Sequence, residues 1–366
     1  MNRHVQSRKL ESFPGREIVI SDIHGDADGY EALLEKAGYR PNEDRLILLG
    51  DLVEKGTQNL KVLRKIMDQC EHENVYAIMG NCDFVAKNFL FSYRLDFIRN
   101  VLLKRRNSLI HEMIAEAGLP PLDENTDMEQ LAYELRSRYL KELSFLNDLP
   151  QVIETPKRIY VHAGLLDEKT YADDFRFVLT YPMFARTDHR FSKMVVVGHM
   201  PVTEYCVRKA DCNPRYFAAG NIYSIDGGNM VKIAGQLNAV IFDDPLVSTV
   251  SVSHLPRARA KVTTHPRNPA SFVVSFNHGE VEVIEPSEPQ SRVYSPYLNR
   301  TFWIDDAFLK ENRGTDFTNY EMPLRQNETV EVVQTYGNKT QIKKQGVIGW
   351  VYSDQIELLD QNEFGS

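Results

Sequence analysis

Side chains that can bind metal ions recur at six places in the first 240 residues. Each place directly follows a short apolar run rich in β-branched residues. The six clusters are Asp22-Ile23-His24-Gly25-Asp26, Gly50-Asp51, Gly80-Asn81-Cys82-Asp83, His162-Ala163-Gly164, Gly198-His199 and Asp226-Gly227-Gly228. Apolar runs of this length are typical of buried strands. Ligands of α/β sheets collect at the carboxyl ends of the strands, so we expect the clusters to meet at one edge.

Six side chains from these clusters supply two carboxylates, three imidazoles and one amide oxygen. Asp22 and His24 are two residues apart in an extended chain end, so their side chains face one way and can hold one metal. Asp51 follows a glycine and can bridge two metals. Mixed nitrogen and oxygen donors suit Mn, Fe, Zn or Ni better than Ca or Mg. The predicted metal ligands are Asp22, His24, Asp51, Asn81, His162 and His199.

Each cluster taken alone has a simpler interpretation. A single histidine at a strand end is more often structural, and a Gly-Asp or Gly-Asn pair is more often a turn. The recurrence of such clusters after successive predicted strands is what indicates a metal site.

The elements that must position these residues alternate between strands and helices. Helical spacing of apolar residues predicts helices over 29–37 and 58–69. This alternation predicts an α/β layered core. Residues 84–149 are strongly helical in pattern and predict an insert of two to four helices, acting either as scaffold or as a lid. The predicted strands cover 16–20, 45–49, 75–79, 158–161, 194–197, 222–225 and 238–242.

After residue 245 the pattern changes to short alternating strands with an internal repeat. Residues 281–285 match 330–334, and Trp303 lies 47 residues before Trp350. This period predicts two copies of a small β unit. The second copy resembles bacterial Src-homology-3-like modules, and the two tryptophans are expected in barrel core or rim. The predicted domains are 1–245, 246–312 (a β module), 313–360 (a β-barrel) and 361–366 (a short cloning-derived tail).

The order of the clusters resembles that of the calcineurin-like metallophosphoesterases. The matching motifs are D-x-H-G-D, G-D-L-V-x-x-G, G-N-x-D, H-A-G-L, G-H-x-P and I-D-G-G, spread over about 16–242. The resemblance is closest to the phosphoprotein phosphatase branch, which includes the diadenosine tetraphosphate hydrolases. It implies a β-sandwich core flanked by helices, and two metals that share Asp51 and activate a water for attack on phosphorus. One metal would be held by Asp22, His24 and Asp51, the other by Asp51, Asn81, His162 and His199.

The chain departs from this family pattern at three positions in two motifs. The family's Asp-Arg pair is Glu54-Lys55 here, and a lysine offers charge without the bidentate fork of arginine. The family's histidine acid is Cys82, a thiol with an ordinary pKa near ~8.5. Cys82 has a structural alternative, a small buried residue that fills space. The sequence Gly80-Asn81-Cys82-Asp83 also resembles small bacterial phosphodiesterases of the same superfamily.

The remaining site predictions follow from this resemblance. Asp226 is expected to support a metal-binding histidine. The predicted catalytic residues are Cys82, Asp83 and Glu54, and the predicted phosphate-binding residues are Lys55, Asn81 and Arg186.

The sequence therefore predicts a metal-dependent phosphatase for phosphate monoesters or nucleoside polyphosphates. The alternatives are a phosphodiesterase, or a catalytically weakened metal-binding regulatory protein that acts through its β modules. The expected cofactors are two divalent ions, Mn first and otherwise Fe, Zn or Ni. The expected partners are a small phosphorylated substrate or a phosphoprotein, and a peptide or cell-wall-type ligand of the β modules.

Composition weighs against other classes of function. The net charge of -8 does not favour a nucleic-acid partner. The one compact basic run, Lys104-Arg105-Arg106, is interpreted as a solvated helix face. No apolar stretch approaches the ~20 residues of a membrane span, and the four cysteines are too few for a disulfide framework. A cytoplasmic location is expected.

Overall fold

The computed structural model describes residues 3–265 and 270–359 and contains two compact units. The first unit consists of Met1–Pro201 and Pro214–Ser253, and the second of Val202–Asn213 and His254–Ser366. The predicted tail at 361–366 lies outside the described residues.

The first unit holds all seven α-helices and eleven strands of the described chain. The helices are α1 (Ala27–Lys36), α2 (Asn59–His72), α3 (Val85–Leu90), α4 (Leu95–Lys104), α5 (Leu109–Glu116), α6 (Met128–Asp148) and α7 (Phe175–Thr180). The strands are β1 (Ser7–Lys9), β2 (Glu17–Ile20), β3 (Arg45–Leu48), β4 (Val75–Ala77), β5 (Val152–Glu154), β6 (Arg158–Val161), β7 (Met194–Val197), β8 (Arg215–Phe217), β9 (Ile222–Ser224), β10 (Leu237–Asp243) and β11 (Leu246–Val252).

These strands form two sheets whose inner faces share one core. One sheet has the order β11-β10-β2-β3-β4 and the other β1-β5-β6-β7-β9-β8. Strands β2, β3 and β4 are parallel, as are β6, β7 and β9. Val19 and Ile47 of the first sheet pack in one buried cluster with Tyr160 and Val196 of the second. The predicted mixed α/β core is confirmed, and each of the seven predicted strands is present to within two residues.

The segment predicted as a helical insert contains helices α3 to α6. Ser108 caps α5 by accepting a hydrogen bond from the His111 N–H, and Asp127 caps α6 through the N–H groups of Glu129 and Gln130. Such caps satisfy amides that a helix leaves without partners at its first turn. None of the helices in the described part of the chain has the length and apolar character needed to span a bilayer.

The described part of the second unit contains twelve short strands. Its sheets have the orders β22-β21-β20-β12-β23, β14-β15-β16, β13-β19 and β17-β18. The strands are β12 (Arg257–Ala260), β13 (Val273–Val274), β14 (Glu282–Glu285), β15 (Gln290–Ser295), β16 (Arg300–Asp305), β17 (Leu309–Lys310), β18 (Arg313–Gly314), β19 (Phe317–Thr318), β20 (Thr329–Tyr336), β21 (Lys339–Lys344), β22 (Val347–Tyr352) and β23 (Ile356–Leu358).

The internal repeat corresponds to two antiparallel three-stranded meanders. Strands β14-β15-β16 and β20-β21-β22 each lead into a one-turn 3₁₀ helix, Asp306–Phe308 and Ser353–Gln355. Strand β12 pairs with both β20 and β23, and β13 pairs with β19. Strand pairing therefore crosses the boundary predicted at 312/313. The small β sheets are present, while the barrel and the Src-homology-3-like assignment stay predictions.

Candidate metal centre

The backbone at the strand ends adopts a conformation that non-glycine residues rarely occupy. Asp22, His24, Asp51 and His199 have φ angles of 55°, 53°, 50° and 65°. Such left-handed residues cost free energy and persist where the surroundings hold them in place. Here the Asp22 N–H donates to the Gly50 carbonyl at 3.1 Å, and the His24 N–H to the Asp51 carbonyl at 2.9 Å. The two loops thus hold each other in the geometry that turns their side chains inward.

Glycines allow the clusters to approach one another closely. A Cβ atom at Gly80 would overlap the amide nitrogen and carboxylate of Asp51, and one at Gly198 would overlap the Ser21 hydroxyl and the Asp22 carboxylate. The glycines in Gly80-Asn81 and Gly198-His199 are therefore required for the packing of the site itself.

The Asp51 carboxylate lies at the centre of the site. Its Oδ1 accepts a hydrogen bond from the Cys82 N–H at 2.7 Å and lies 3.5 Å from His162 Nε2. Its Oδ2 lies 3.7 Å from His24 Nε2. Burial alone would raise the pKa of Asp51, but His162, His24 and the Cys82 amide bring it below its ordinary value. The two oxygens of one carboxylate thus face two different histidines, as a bridging ligand must.

Asp22 supplies a second buried carboxylate to the same site. Its Oδ1 lies 3.8 Å from His24 Nε2, and its Oδ2 accepts hydrogen bonds from the His199 N–H at 3.0 Å and from the Ser21 hydroxyl. Burial, followed by the charges of Asp226 and Asp51, raises the pKa of Asp22 well above its ordinary value. Such crowding of buried carboxylates is what bound cations would relieve.

His162 shows the donor arrangement that suits a metal ligand. Its Nδ1 lies 2.8 Å from the Leu49 carbonyl oxygen, which can only accept, so Nδ1 carries the proton. Nε2 then has a lone pair, and it faces Asn81 Oδ1 at 3.1 Å as well as Asp51 Oδ1. A metal ion held between these atoms would satisfy all three, and the backbone contact at Nδ1 fixes the ring orientation.

The other two histidines complete the set. The rings of His162 and His199 are 5.1 Å apart, and burial, then His162, lowers the pKa of His199 to about 4. A neutral imidazole is the form that binds metal. Ligand atoms of Asp22, Asp51 and His162 lie within 4.8 Å of one another, as do those of His24, Asp51 and Cys82. The structure therefore brings together all six side chains predicted as metal ligands, with Cys82 beside them.

Asp83 ties the loops of the site together. Its carboxylate accepts hydrogen bonds from the N–H groups of Leu52 at 2.9 Å, Val53 at 3.3 Å and Gly80 at 2.8 Å. Burial, then the charge of Asp51, raises the pKa of Asp83 to about 8. These contacts are those of a positioning residue, and the catalytic role predicted for Asp83 stays a prediction.

Glu54 is fully buried and faces the helical insert. Its carboxylate forms an ion pair with Arg105 and accepts a hydrogen bond from the Leu109 N–H at 3.1 Å. These contacts are structural, and the catalytic role predicted for Glu54 stays a prediction. The interpretation of Arg105 as part of a solvated helix face was wrong, since its guanidinium is half-buried against Glu54.

The remaining predicted site residues lie at different depths. Lys55 is exposed, and its charge is among the causes that lower the pKa of His24, after burial. Asp226 accepts a hydrogen bond from the Gly228 N–H at 2.7 Å, and its charge acts on Asp22. Arg186 is exposed at the end of a 3₁₀ turn. The phosphate-binding roles of Lys55 and Arg186 and the supporting role of Asp226 stay predictions.

Sequence reasoning missed three contributors to the site. Ser21 was not singled out, although it directly precedes Asp22 and donates to it. Arg105 and Glu112 reach the site loops from more than 50 residues away in sequence. No local pattern marks such long-range pairs.

The family model for calcineurin-like phosphoesterases matches residues 16–224. This chain belongs to that family. Membership identifies the chain as a phosphoesterase, a hydrolase, and implies divalent metals at the centre just described.

Two curated relatives are both named bis(5'-nucleosyl)-tetraphosphatases. This chain is 27% identical over 259 residues to the asymmetrical bis(5'-nucleosyl)-tetraphosphatase of Anoxybacillus flavithermus, and the match covers 64% of this chain and 92% of that protein. It is 30% identical over 175 residues to the symmetrical bis(5'-nucleosyl)-tetraphosphatase of Escherichia coli O139:H28, covering 45% of this chain and 52% of that protein. The chain thus spans about half the length of the second relative.

Among solved structures, a metallophosphoesterase from Sphaerobacter thermophilus aligns with 16% identity and a TM-score of 0.36, covering 66% of this chain and 89% of that one. A TM-score this low carries no argument about function.

Proposed function

We propose that this phosphoesterase is a two-metal phosphatase that hydrolyses a phosphate monoester or a nucleoside polyphosphate. The observation that carries the proposal is the Asp51 carboxylate, whose two oxygens face His162 and His24 at 3.5 and 3.7 Å. This geometry supports two neighbouring cation positions that share one ligand.

The residues that would hold the two ions divide about Asp51. Asp22, His24 and Asp51 would bind one ion, and Asp51, Asn81, His162 and His199 the other. Two ions at such a centre polarise the phosphoryl oxygens and lower the pKa of a water nucleophile. The mixed nitrogen and oxygen donors favour Mn, with Fe, Zn and Ni as the alternatives.

The protein's own residues would orient the phosphate and hold the loops. Lys55 is the exposed cation beside the left-handed turn that follows Asp51, and it would pair with phosphoryl oxygens as a point charge. Asp83 would keep the segments 51–53 and 80–82 together through its three backbone contacts. Asn81 would orient the substrate as well as bind an ion.

The side chain at position 82 favours substrates with good leaving groups. An imidazole can protonate a departing alkoxide, whereas a thiol is a poor substitute. Phosphoanhydrides and aryl esters need little protonation of the leaving group. Together with the names of the two curated relatives, this supports nucleoside polyphosphates as substrates.

The test is hydrolysis of diadenosine tetraphosphate with added Mn, followed by chromatography of the nucleotides. Two ADP molecules would indicate symmetrical cleavage, and ATP with AMP would indicate asymmetrical cleavage. Para-nitrophenyl phosphate and its bis-ester, measured in parallel, rank monoesters against diesters. If Mn is bound and none of the three substrates is cleaved, the proposal is contradicted.

Two alternatives have their own observations. A phosphodiesterase is favoured by Gly80-Asn81-Cys82-Asp83, and preference for the bis-ester would support it. A weakened regulatory protein is favoured by the replacements at positions 54, 55 and 82, and metal binding without turnover would support that reading.

The remaining partners follow from these alternatives. A phosphoprotein is the second candidate substrate, and a peptide or cell-wall-type ligand is proposed for the second unit. The acidic net charge does not favour nucleic acid, and a cytoplasmic location fits a phosphatase of small phosphorylated metabolites.

A further inference from the structure

The second unit contains an aromatic and acidic cavity that the phosphatase proposal does not use. Its volume is about 550 Å³, within the range of small-ligand sites. Trp303, Tyr336 and Trp350 line it together with Asp305 and Glu321. The cavity belongs wholly to the second unit, and the candidate metal centre wholly to the first.

Alternation along strand β16 explains how the aromatic side of the cavity arises. Phe302 and Ile304 point into the buried core of the unit, so Trp303 and Asp305 point to the opposite face. Trp303 is 46% exposed, which is unusual for so large an apolar side chain. Strand β16 thus presents an indole and a carboxylate side by side on one face.

The opposite wall is rigid. Trp350 is nearly buried, and its Nε1 donates to the Thr318 carbonyl at 2.6 Å. The rings of Tyr336 and Trp350 pack edge to face at 5.5 Å. Asp305 and Tyr336 line the same cavity, and burial, then the charge of Asp305, raises the pKa of Tyr336. The aromatic surfaces are therefore held in place before any ligand arrives.

The charges that line the cavity are mainly negative. Asp305 uses one oxygen to accept the Ala307 N–H, and within 3–265 and 270–359 the Glu321 carboxylate has no hydrogen bond or ion pair. The one lysine that lines the cavity, Lys339, lies with its Nζ over the ring of Tyr352 at 5.6 Å. Two carboxylates beside exposed aromatic faces attract a cation both by charge and by cation–π contact.

We propose that this cavity binds an arginine side chain of an extended cationic peptide. A guanidinium can stack on the Trp303 indole while it donates to Glu321 or Asp305, and it is less strongly hydrated than an ammonium. A second cavity of about 410 Å³ shares Glu321, Lys339 and Trp350 with the first. The two cavities together form a groove that is longer than a single side chain, and this length favours a peptide over a small free cation.

The experiment titrates the full chain with a short blocked peptide that carries two arginines, at low ionic strength. The chain has two tryptophans, and both line the cavity, so tryptophan fluorescence, excited at a wavelength that tyrosine does not absorb, reports on this site. We expect a saturable change. A matched peptide with citrulline in place of arginine keeps the shape but removes the charge, and it should bind at least tenfold more weakly. Equal binding of the citrulline peptide, or no response, would overturn the proposal.

Variants separate the site from general effects on the fold. Trp303→Ala should weaken binding by about three- to thirtyfold in calorimetry, the range of a cation–π contact. Glu321→Gln should also weaken it, whereas Glu357→Gln, an exposed carboxylate of the same unit outside the cavity, should not. All three should keep the wild-type circular dichroism and phosphatase activity. Arginine amide that binds as tightly as the peptide, or an unchanged Trp303→Ala variant, would refute the peptide site.

Discussion

Asp51 is the side chain of the candidate metal centre whose two carboxylate oxygens face two different histidines. Its carboxylate touches the Cys82 amide and faces two histidines, and its own backbone is in the left-handed region. An amide in its place would keep the size of the side chain but remove the charge that two cations share. At the scale of the residue, the proposed function therefore makes Asp51 the first side chain to test.

We expect Asp51→Asn to abolish Mn-dependent hydrolysis. The loss should exceed the roughly 10- to 100-fold that removal of a supporting group costs, because the bridge itself is lost. The measurement is kcat/KM for para-nitrophenyl phosphate together with the content of bound metal. Asp173→Asn, an exposed carboxylate of the same unit, is the matched control and should keep full activity.

Position 82 tests whether this phosphatase works without an acid. We expect Cys82→His to raise the rate for alkyl phosphates, which need a proton on the leaving group, more than the rate for para-nitrophenyl phosphate. Cys82→Ser should leave both rates within a few-fold if the thiol only fills space. A large drop in metal content of Cys82→Ser would instead show that Cys82 binds a metal, as its place beside His24 and Asp51 allows.

At the scale of elements, the helical insert braces the loops that carry the site. Helix α2 has no capping side chain of its own. Glu112 of α5 instead accepts from the N–H groups of Asn59 at 2.7 Å and Leu60 at 2.8 Å. A carboxylate at a helix N-terminus accepts hydrogen bonds from amides that lack partners within the helix, and its negative charge is stabilised by the positive end of the helix dipole. The insert thus contributes scaffold contacts to the site, and its interpretation as a lid stays a prediction.

The Arg105–Glu54 ion pair is the second contact of this brace. We expect Arg105→Met to lower the free energy of unfolding by roughly 3 kcal/mol, because it leaves a fully buried carboxylate without its cation. The same variant should also raise KM while the content of bound metal stays near the wild-type value, because the turn beside Lys55 loosens. Denaturant unfolding and steady-state kinetics measure the two effects.

A double variant provides the control for this pair. Arg105→Met combined with Glu54→Gln removes both charges and should recover much of the lost stability. If the two single changes simply add, the pair is not coupled and the brace is not supported.

At the scale of the whole molecule, metal and stability are linked through the first unit. A metal whose free concentration is a hundred times its dissociation constant stabilises a folded protein by about 2.7 kcal/mol. For a unit of this size we expect removal by a chelator to lower the melting temperature by about 5 to 10 °C. Circular dichroism at the helix band follows this unit, because it holds every α-helix of the described chain. The Asp51→Asn variant should have a melting temperature near that of the chelator-treated wild type, and adding chelator should change it little.

The sequence by itself was sufficient for the strands of the first unit, the clusters at their ends and the six side chains predicted as metal ligands. Strand, turn and glycine preferences act over a few residues, so His162-Ala163-Gly164 or Gly50-Asp51 can be recognised locally. Parallel pairing brings the carboxyl ends of neighbouring strands to one edge within each sheet. The packing of the two sheets against each other then joins the clusters after β2, β3 and β4 to those after β6, β7 and β9. The repeat of 281–285 and 330–334 was likewise visible, and it corresponds to two matching meanders.

Only the tertiary structure decided the contacts between residues far apart in the chain. Glu54 looked like a site residue, yet it is buried against Arg105, a partner 51 positions away. Strand β12, which precedes the boundary expected at 312/313, pairs with both β20 and β23, which follow it. The cavity around Trp303 needs strands β16, β20 and β22 together. Pairings of this kind depend on packing and charge compensation across the whole unit, for which neighbouring residues in the sequence carry no signal.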